Sequence, residues 1–284
     1  MSSTILVSGA TGTQGGAVAR VLLDHGHSVR AMTRNPHSDA ARALSALGIE
    51  VVAADFDEPA SLRAAASGVD AVYAMGTPYG SDAETEERQA NTLLDAAVAA
   101  GVGFIVYSSV ASALDDSKVP HFESKARVEE HLATLSVAHT VVAPAMFTDN
   151  ILAPHNTEAL ARGHYAFAVA ADTRVQQVAI SDLAEFTALV FDDPQRFAGQ
   201  RIELASSEET GAEVADALSA ALGRTIEYSE VPLETIEASG NDDLAAMMRF
   251  LRGPGYTVDI DALHAAYPEV GWHTVESWAR EQSW

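Results

Sequence analysis

The chain has 284 residues, 48% of them hydrophobic, and a formal net charge of −23. That length accommodates one large α/β unit or a cofactor domain with a smaller lobe, and the negative charge opposes non-specific attraction to DNA, RNA or an anionic membrane. With no cysteine in the sequence, disulfides, thiolate metal sites and a cysteine nucleophile are excluded.

From Ile5 to Ala143, apolar runs alternate with helical segments, the pattern of parallel βαβ units. Strands are predicted at residues 5–8, 29–33, 51–54, 71–75, 104–108 and 140–143. Helices are predicted between them at about 14–25, 39–47, 59–66, 84–100 and 121–135. Gly26, Gly48, Gly68 and Gly101 stand where four of these helices stop, as C-terminal glycines do. The expected fold is α/β, a doubly wound parallel sheet whose ligands gather beyond the strand carboxyl ends.

After Pro144 the alternation loosens. Residues 1–148 are read as the cofactor domain and residues 149–284 as a smaller α+β lobe that carries specificity. Strands are predicted at 175–180 and 201–205, and part of the 175–205 region can return to the main sheet. Helices are predicted at 158–162, 181–191, 213–222, 244–251, 261–267 and 274–281. Leu244, Met247, Met248 and Leu251 recur at i, i+3, i+4 and i+7, which makes them lobe core. Glu84-Thr85-Glu86-Glu87 and Glu208-Glu209 are read as solvated residues at helix starts, beside the positive end of the dipole.

The chemistry concentrates in Gly9-Ala10-Thr11-Gly12-Thr13-Gln14-Gly15-Gly16, which follows the first strand and precedes Val18, Val21 and Leu22 at helical spacing. Glycines there let the backbone turn sharply and approach a pyrophosphate, to which the helix start offers free N–H groups. A plain glycine-rich turn is the alternative. The loop lacks the Gly-Lys-Ser/Thr ending of a triphosphate P-loop, which favours a dinucleotide. The second strand ends in Thr33-Arg34-Asn35-Pro36. A carboxylate at that point would bind a ribose 2′-hydroxyl, whereas Arg34 offers a multidentate donor to a 2′-phosphate, so NADP(H) is expected. Asp55, ending the third strand, either accepts from the adenine amino group or caps the helix near Pro59.

These stretches resemble the NmrA-like family of atypical short-chain dehydrogenases/reductases, and so do three others. They are His121-Phe122-Glu123-Ser124-Lys125 running into Val128-Glu129-Glu130, Pro144 with Phe147 and Asn150, and the tail Gly255-Tyr256-Thr257-Val258-Asp259-Ile260. The resemblance spans nearly the whole chain and implies a Rossmann domain, a smaller C-terminal lobe and bound NADP(H). The implied cofactor contacts are Gly9, Thr11, Gly12, Thr13, Gln14, Gly15 and Arg34, with Asp55, Phe56, Gly76, Thr77, Lys125, Pro144 and Phe147. The family includes both NADPH-dependent reductases and catalytically silent redox-sensing regulators.

Short-chain reductases place a serine at the fifth strand's end, then a tyrosine, then a lysine four residues later. Ser108, His121 and Lys125 hold the corresponding positions, with histidine in place of the tyrosine. Lys125 either bonds the nicotinamide ribose hydroxyls or faces solvent. His121 is either a proton donor, since imidazole titrates near neutral pH, or a polar residue at a helix start. Ser108 either polarises a carbonyl or bonds its own backbone. Met146, Phe147 and Tyr79 either line an apolar substrate pocket or pack as ordinary core. No histidines show metal-ligand spacing, and no Gly-x-Ser-x-Gly elbow is present.

Two functions follow as expectations. One is an NADPH-dependent reductase of a small carbonyl, quinone or enone-like acceptor. The other is a non-catalytic NADPH/NADP redox sensor that regulates a protein partner. The partner is therefore a small-molecule substrate or a protein, without nucleic acid or membrane. The start of the chain shows no positive region before its apolar run and no segment nears the ~18 residues of a membrane span, so a soluble, cytoplasmic protein is expected.

Overall fold

Strand and helix alternate strictly through the first half of the computed structural model, which describes residues 2–76 and 82–284. The order is β1 (Thr4–Val7), α1 (Thr13–Asp24), β2 (Ser28–Thr33), α2 (Asp39–Ala46), β3 (Glu50–Ala53) and α3 (Pro59–Ala66). It continues with β4 (Ala71–Met75), α4 (Ala83–Ala99), β5 (Phe104–Ser108), α5 (Pro120–Thr134) and β6 (Ala138–Pro144). Each predicted strand and helix of this half is present, with ends shifted by a residue or two. β5 is buried along its whole length because helices cover both faces of the sheet.

The second half begins with β7 (Met146–Phe147), α6 (Pro154–Ala161), β8 (His164–Phe167), β9 (Arg174–Val178), α7 (Ile180–Asp192) and α8 (Pro194–Phe197). Then come β10 (Arg201–Leu204), β11 (Ser207–Thr210), α9 (Gly211–Leu222), β12 (Glu227–Glu230), α10 (Leu233–Ala238), α11 (Asp242–Arg252), α12 (Ile260–Ala266) and α13 (Val275–Glu281). Glu208 and Glu209 lie in β11, paired with β9, and are not at a helix start. The helix that follows opens instead with a capping box between Thr210 and Glu213.

The main sheet has seven strands in the order β10-β6-β5-β4-β1-β2-β3, all neighbours parallel. Its last strand returns from the second half, with Arg201 opposite Val141 and Leu204 opposite Pro144. From β1 the chain first runs outward through β2 and β3 and then reverses to β4. A ligand crevice therefore opens at the carboxyl ends of β1 and β4. α1 and α7 cover one face, packing Val18, Leu22, Leu183 and Phe186 on Ile5 and Val7. α3, α4 and α5 cover the other, where Leu62, Leu93 and Val128 meet Leu6, Val72 and Ile105.

Residues after α10 pack on this unit through Phe122 of α5, whose ring lies 5.2 Å from Phe250 and 6.0 Å from Tyr256. Met248 and Leu251 are buried in the same cluster, with Leu244 and Met247 packed beside them. Among the described residues, no helix is long and apolar enough to cross a membrane.

Candidate functional site

At the end of β1, Ser8 Oγ accepts from Met75 N at 2.8 Å, which ties the ends of β1 and β4 together. Gly9 then turns the chain with φ +64°, a left-handed conformation, and Gly12 N closes the turn by donating to Gly9 O at 2.9 Å. Gly15 allows the helix to start hard against that turn. A Cβ on it would lie 2.5 Å from Gly9 C and O and 2.6 Å from Ser8 O, all backbone atoms that cannot yield. Gly12 is the N-cap of α1 and has no side chain to cap with. Among the described helices, α1 alone opens with no side-chain cap, no proline and no acidic residue in its first turn. Its N–H groups and positive dipole end are thus left for an anion, which fits a pyrophosphate. Thr11, Gly12 and Thr13 also border a cavity of about 610 Å³ that reaches Asp149 and Ser181.

Arg34 follows the end of β2 and is exposed, with no ion pair to a described residue. Its charge is felt at exposed Asp57, whose carboxyl is held below the usual range mainly by hydrogen bonds from Arg88 and Gln89 and additionally by Arg34. Asp55 does not cap α3. Its Oδ1 accepts from Asp57 N at 3.0 Å, an Asx turn, while Glu58 occupies the N-cap position without a side-chain bond. Phe56 packs, partly buried, against the core under α3 and α4.

Gln14 reaches from α1 to side chains of β4 and β5. Its Nε2 donates to Tyr73 Oη and to Ser108 Oγ, each at 2.7 Å. Ser108 is therefore bonded to the Gln14 amide and not to its own backbone. Burial pushes the Tyr73 hydroxyl up to about 12, against the lowering effect of its bonds to Ser108 and Gln14.

Lys125 Nζ lies 2.8 Å from Glu86 Oε1, and Ser124 Oγ donates to Glu86 Oε2 at 2.9 Å. The side chains of Lys125 and Glu86 are 11% and 0% exposed. Lys125 thus does not face solvent, and Glu86 is not a solvated helix-start residue. The pair lies beside the end of β4, since a Cβ on Gly76 would come within 2.9 Å of Glu86 Cγ.

His121 is held from α11. Its Nδ1 is 2.8 Å from Asp243 Oδ2, and its backbone N donates to Asp243 Oδ1 at 3.0 Å. Val119 is the N-cap of α5, so His121 is not the cap. Burial raises the Asp243 carboxyl, but the hydrogen bonds and charge of His121 outweigh it and leave the group below its usual range. Pro144 is buried at the end of β6, where its O accepts from Ala111 N at 2.9 Å. Phe147 is half-buried, opposite Val178 in β9, whereas Met146 is buried in a hydrophobic cluster with Phe122, Phe250 and Tyr256. Thr77 and Tyr79 lie outside the described residues.

Sequence reasoning missed Glu86 and Asp243. Glu86 had a signal: it shares a helix face with Ala90, Leu93 and Ala97, all buried, so its position is an inward one. Asp243 had none, because its partner is 122 residues away.

A doubly wound sheet with an uncapped glycine turn at its switch point and an exposed arginine at the next strand's end defines a dinucleotide-binding Rossmann protein. Within that class, the sequence matches the NmrA-like family over residues 1–279, and the chain belongs to this family. It is 32% identical over 230 residues to an NAD(P)H azoreductase from Xenophilus azovorans, covering 81% of this chain and 78% of that protein. An NADPH-dependent quinone oxidoreductase from Escherichia coli, crystallised with NADPH, is similar at a TM-score of 0.81 and 26% identity, covering 97% of this chain and 98% of that one. The negative transcriptional regulator NmrA, solved with NADP, shares the fold at a TM-score of 0.79 and 23% identity over 99% of this chain and 95% of that one.

Proposed function

We propose that the protein binds NADP(H) and reduces a small carbonyl, quinone or enone-like acceptor. The observation that carries this reading is the convergence of uncapped α1, exposed Arg34 and the buried Lys125–Glu86 pair at one end of the sheet. The azoreductase and quinone oxidoreductase relatives support it. The cofactor supplies hydride when bound. The chain's own residues divide the remaining work. The α1 N–H groups bind the pyrophosphate, and Arg34 binds the 2′-phosphate through charge-assisted bonds. Lys125 uses the N–H donors that Glu86 does not take to orient the nicotinamide-side ribose. Ser108, fixed by Gln14, presents a hydroxyl at the strand end. Asp243 engages Nδ1 of His121, so Nε2 is the ring atom left to hold or release a proton.

A second reading is a redox sensor acting on a protein partner. The His121–Asp243 bond favours it, because it links the helix that carries Lys125 to the smaller lobe. The experiment follows NADPH absorbance with a panel of quinones, azo dyes and aldehydes, comparing the native protein with His121→Ala. Turnover that falls in the variant supports the reductase with His121 as its acid, and unchanged turnover removes His121 from the chemistry. NADPH binding without turnover on any acceptor favours the sensor.

A further inference from the structure

Glu86 is a buried acid beside the carboxyl end of β4, and its side-chain hydrogen bonds both come from α5. Its side chain is fully buried on the first turn of α4, and both carboxylate oxygens are taken from α5, Oε1 by Lys125 Nζ and Oε2 by Ser124 Oγ. The third side of the carboxylate meets the end of β4, where Gly76 leaves the room it needs. A Cβ at that position would stand 2.9 Å from Glu86 Cγ and 3.3 Å from Oε1. A buried ion pair is weak evidence for stability, since an apolar pair of similar volume packs as well. What this one does accomplish is to fix a flexible four-carbon side chain at one point. An ammonium has three N–H donors, and among the described residues Glu86 takes one, leaving two to be aimed.

We infer that Glu86 is a positioning residue. It holds Lys125 Nζ at the end of β4 so that the two remaining donors meet the ribose hydroxyls on the nicotinamide side of NADP(H). The inference rests on the cofactor reading above and adds the residue that makes Lys125 competent for it. It also separates the two halves of the ligand, because the adenosine half is bound by Arg34 and the α1 loop, neither of which touches Glu86.

The test measures binding of NADPH and of 2′,5′-ADP, the adenosine half with its 2′-phosphate, by titration calorimetry. In Glu86→Gln, NADPH binding is expected to weaken by about tenfold while 2′,5′-ADP binding stays within about twofold, the loss of one charge-assisted bond. Lys125→Met is expected to show the same selective loss, and the double variant to be no weaker than Lys125→Met alone. Glu86→Asp keeps the charge, retracts the carboxylate by one methylene and is expected to lose NADPH selectively as well, which supplies the measurement if Glu86→Gln does not fold. A parallel loss of both ligands, an unchanged ratio in a folded variant, or additive losses in the double variant overturns the inference. Failure of the native protein to bind 2′,5′-ADP overturns the NADP(H) reading itself, and the role of Glu86 falls with it.

Discussion

In the turn between β1 and α1 the decisive contacts are backbone on backbone and only a few residues apart, with Gly15 pressed on Gly9 and Gly12 bonded back to it. At the reaction end, each candidate side chain is held by a group distant in sequence. Lys125 is held by Glu86 across 39 residues, Ser108 by Gln14 across 94 and His121 by Asp243 across 122. The first region is intolerant of added atoms, because backbone cannot move aside. The second is intolerant of lost partners, because a buried polar group without its mate retains the full cost of desolvation. The two regions should therefore fail in different ways.

The largest effect is expected from Gly15→Ala. Its Cβ would meet Gly9 carbonyl atoms at 2.5 Å, so the variant should lose about 2–3 kcal/mol of stability and no longer gain melting temperature from NADPH. Calorimetric melting with and without the nucleotide checks this, and a native-like ligand-induced shift would break the backbone account of the turn.

Arg34→Ala comes next. NADPH affinity should fall roughly 10–100-fold while NADH affinity barely changes, since only the 2′-phosphate is lost as a partner. Equal losses for both nucleotides would detach Arg34 from cofactor choice.

Asp243→Asn probes the long-range side of the comparison. Asp243 binds both the ring and the backbone N of His121, so the substitution should leave the imidazole less well fixed and lower maximal turnover in NADPH oxidation several-fold. Unchanged turnover in a folded variant would leave Asp243 as a packing contact only.

The smallest expected effect lies away from the cleft, where other charge pairs join distant segments. Burial works against protonation of His25, but its hydrogen bonds to Asp192 and Glu185 prevail and raise it above 6.5. At His273 burial is likewise outweighed, by Asp182 and then by Glu281. A histidine raised in the folded state contributes stability that is fully present below its unfolded value and is lost as pH rises through the folded one. Denaturant unfolding between about pH 6 and about pH 9 should show a loss of under about 1 kcal/mol per histidine, and His25→Gln with His273→Gln should flatten it.

Much of the fold was readable along the chain. β1 to β6 and the helices between them were written as apolar runs and helical stripes. Gly26, Gly48, Gly68 and Gly101 adopt positive φ where those helices end. β7, β8, β11 and β12 were not readable, because runs of two to four residues carry too little periodicity to distinguish them from turns. β10 was legible as a strand of the 175–205 region that can return to the main sheet, as it does, but its pairing with β6 at the sheet edge was not.

The sequence by itself determined the cofactor turn, since its glycines act on neighbours within a few bonds and Arg34 stands at a strand end that the alternating pattern locates. Only the tertiary structure decided what surrounds the candidate reaction groups. Glu86 turned inward to Lys125, and Asp243 arrived from α11 to hold His121. Local backbone geometry is encoded by adjacent residues, whereas the partner of a buried charge is chosen by whichever group the folded chain brings within hydrogen-bond reach.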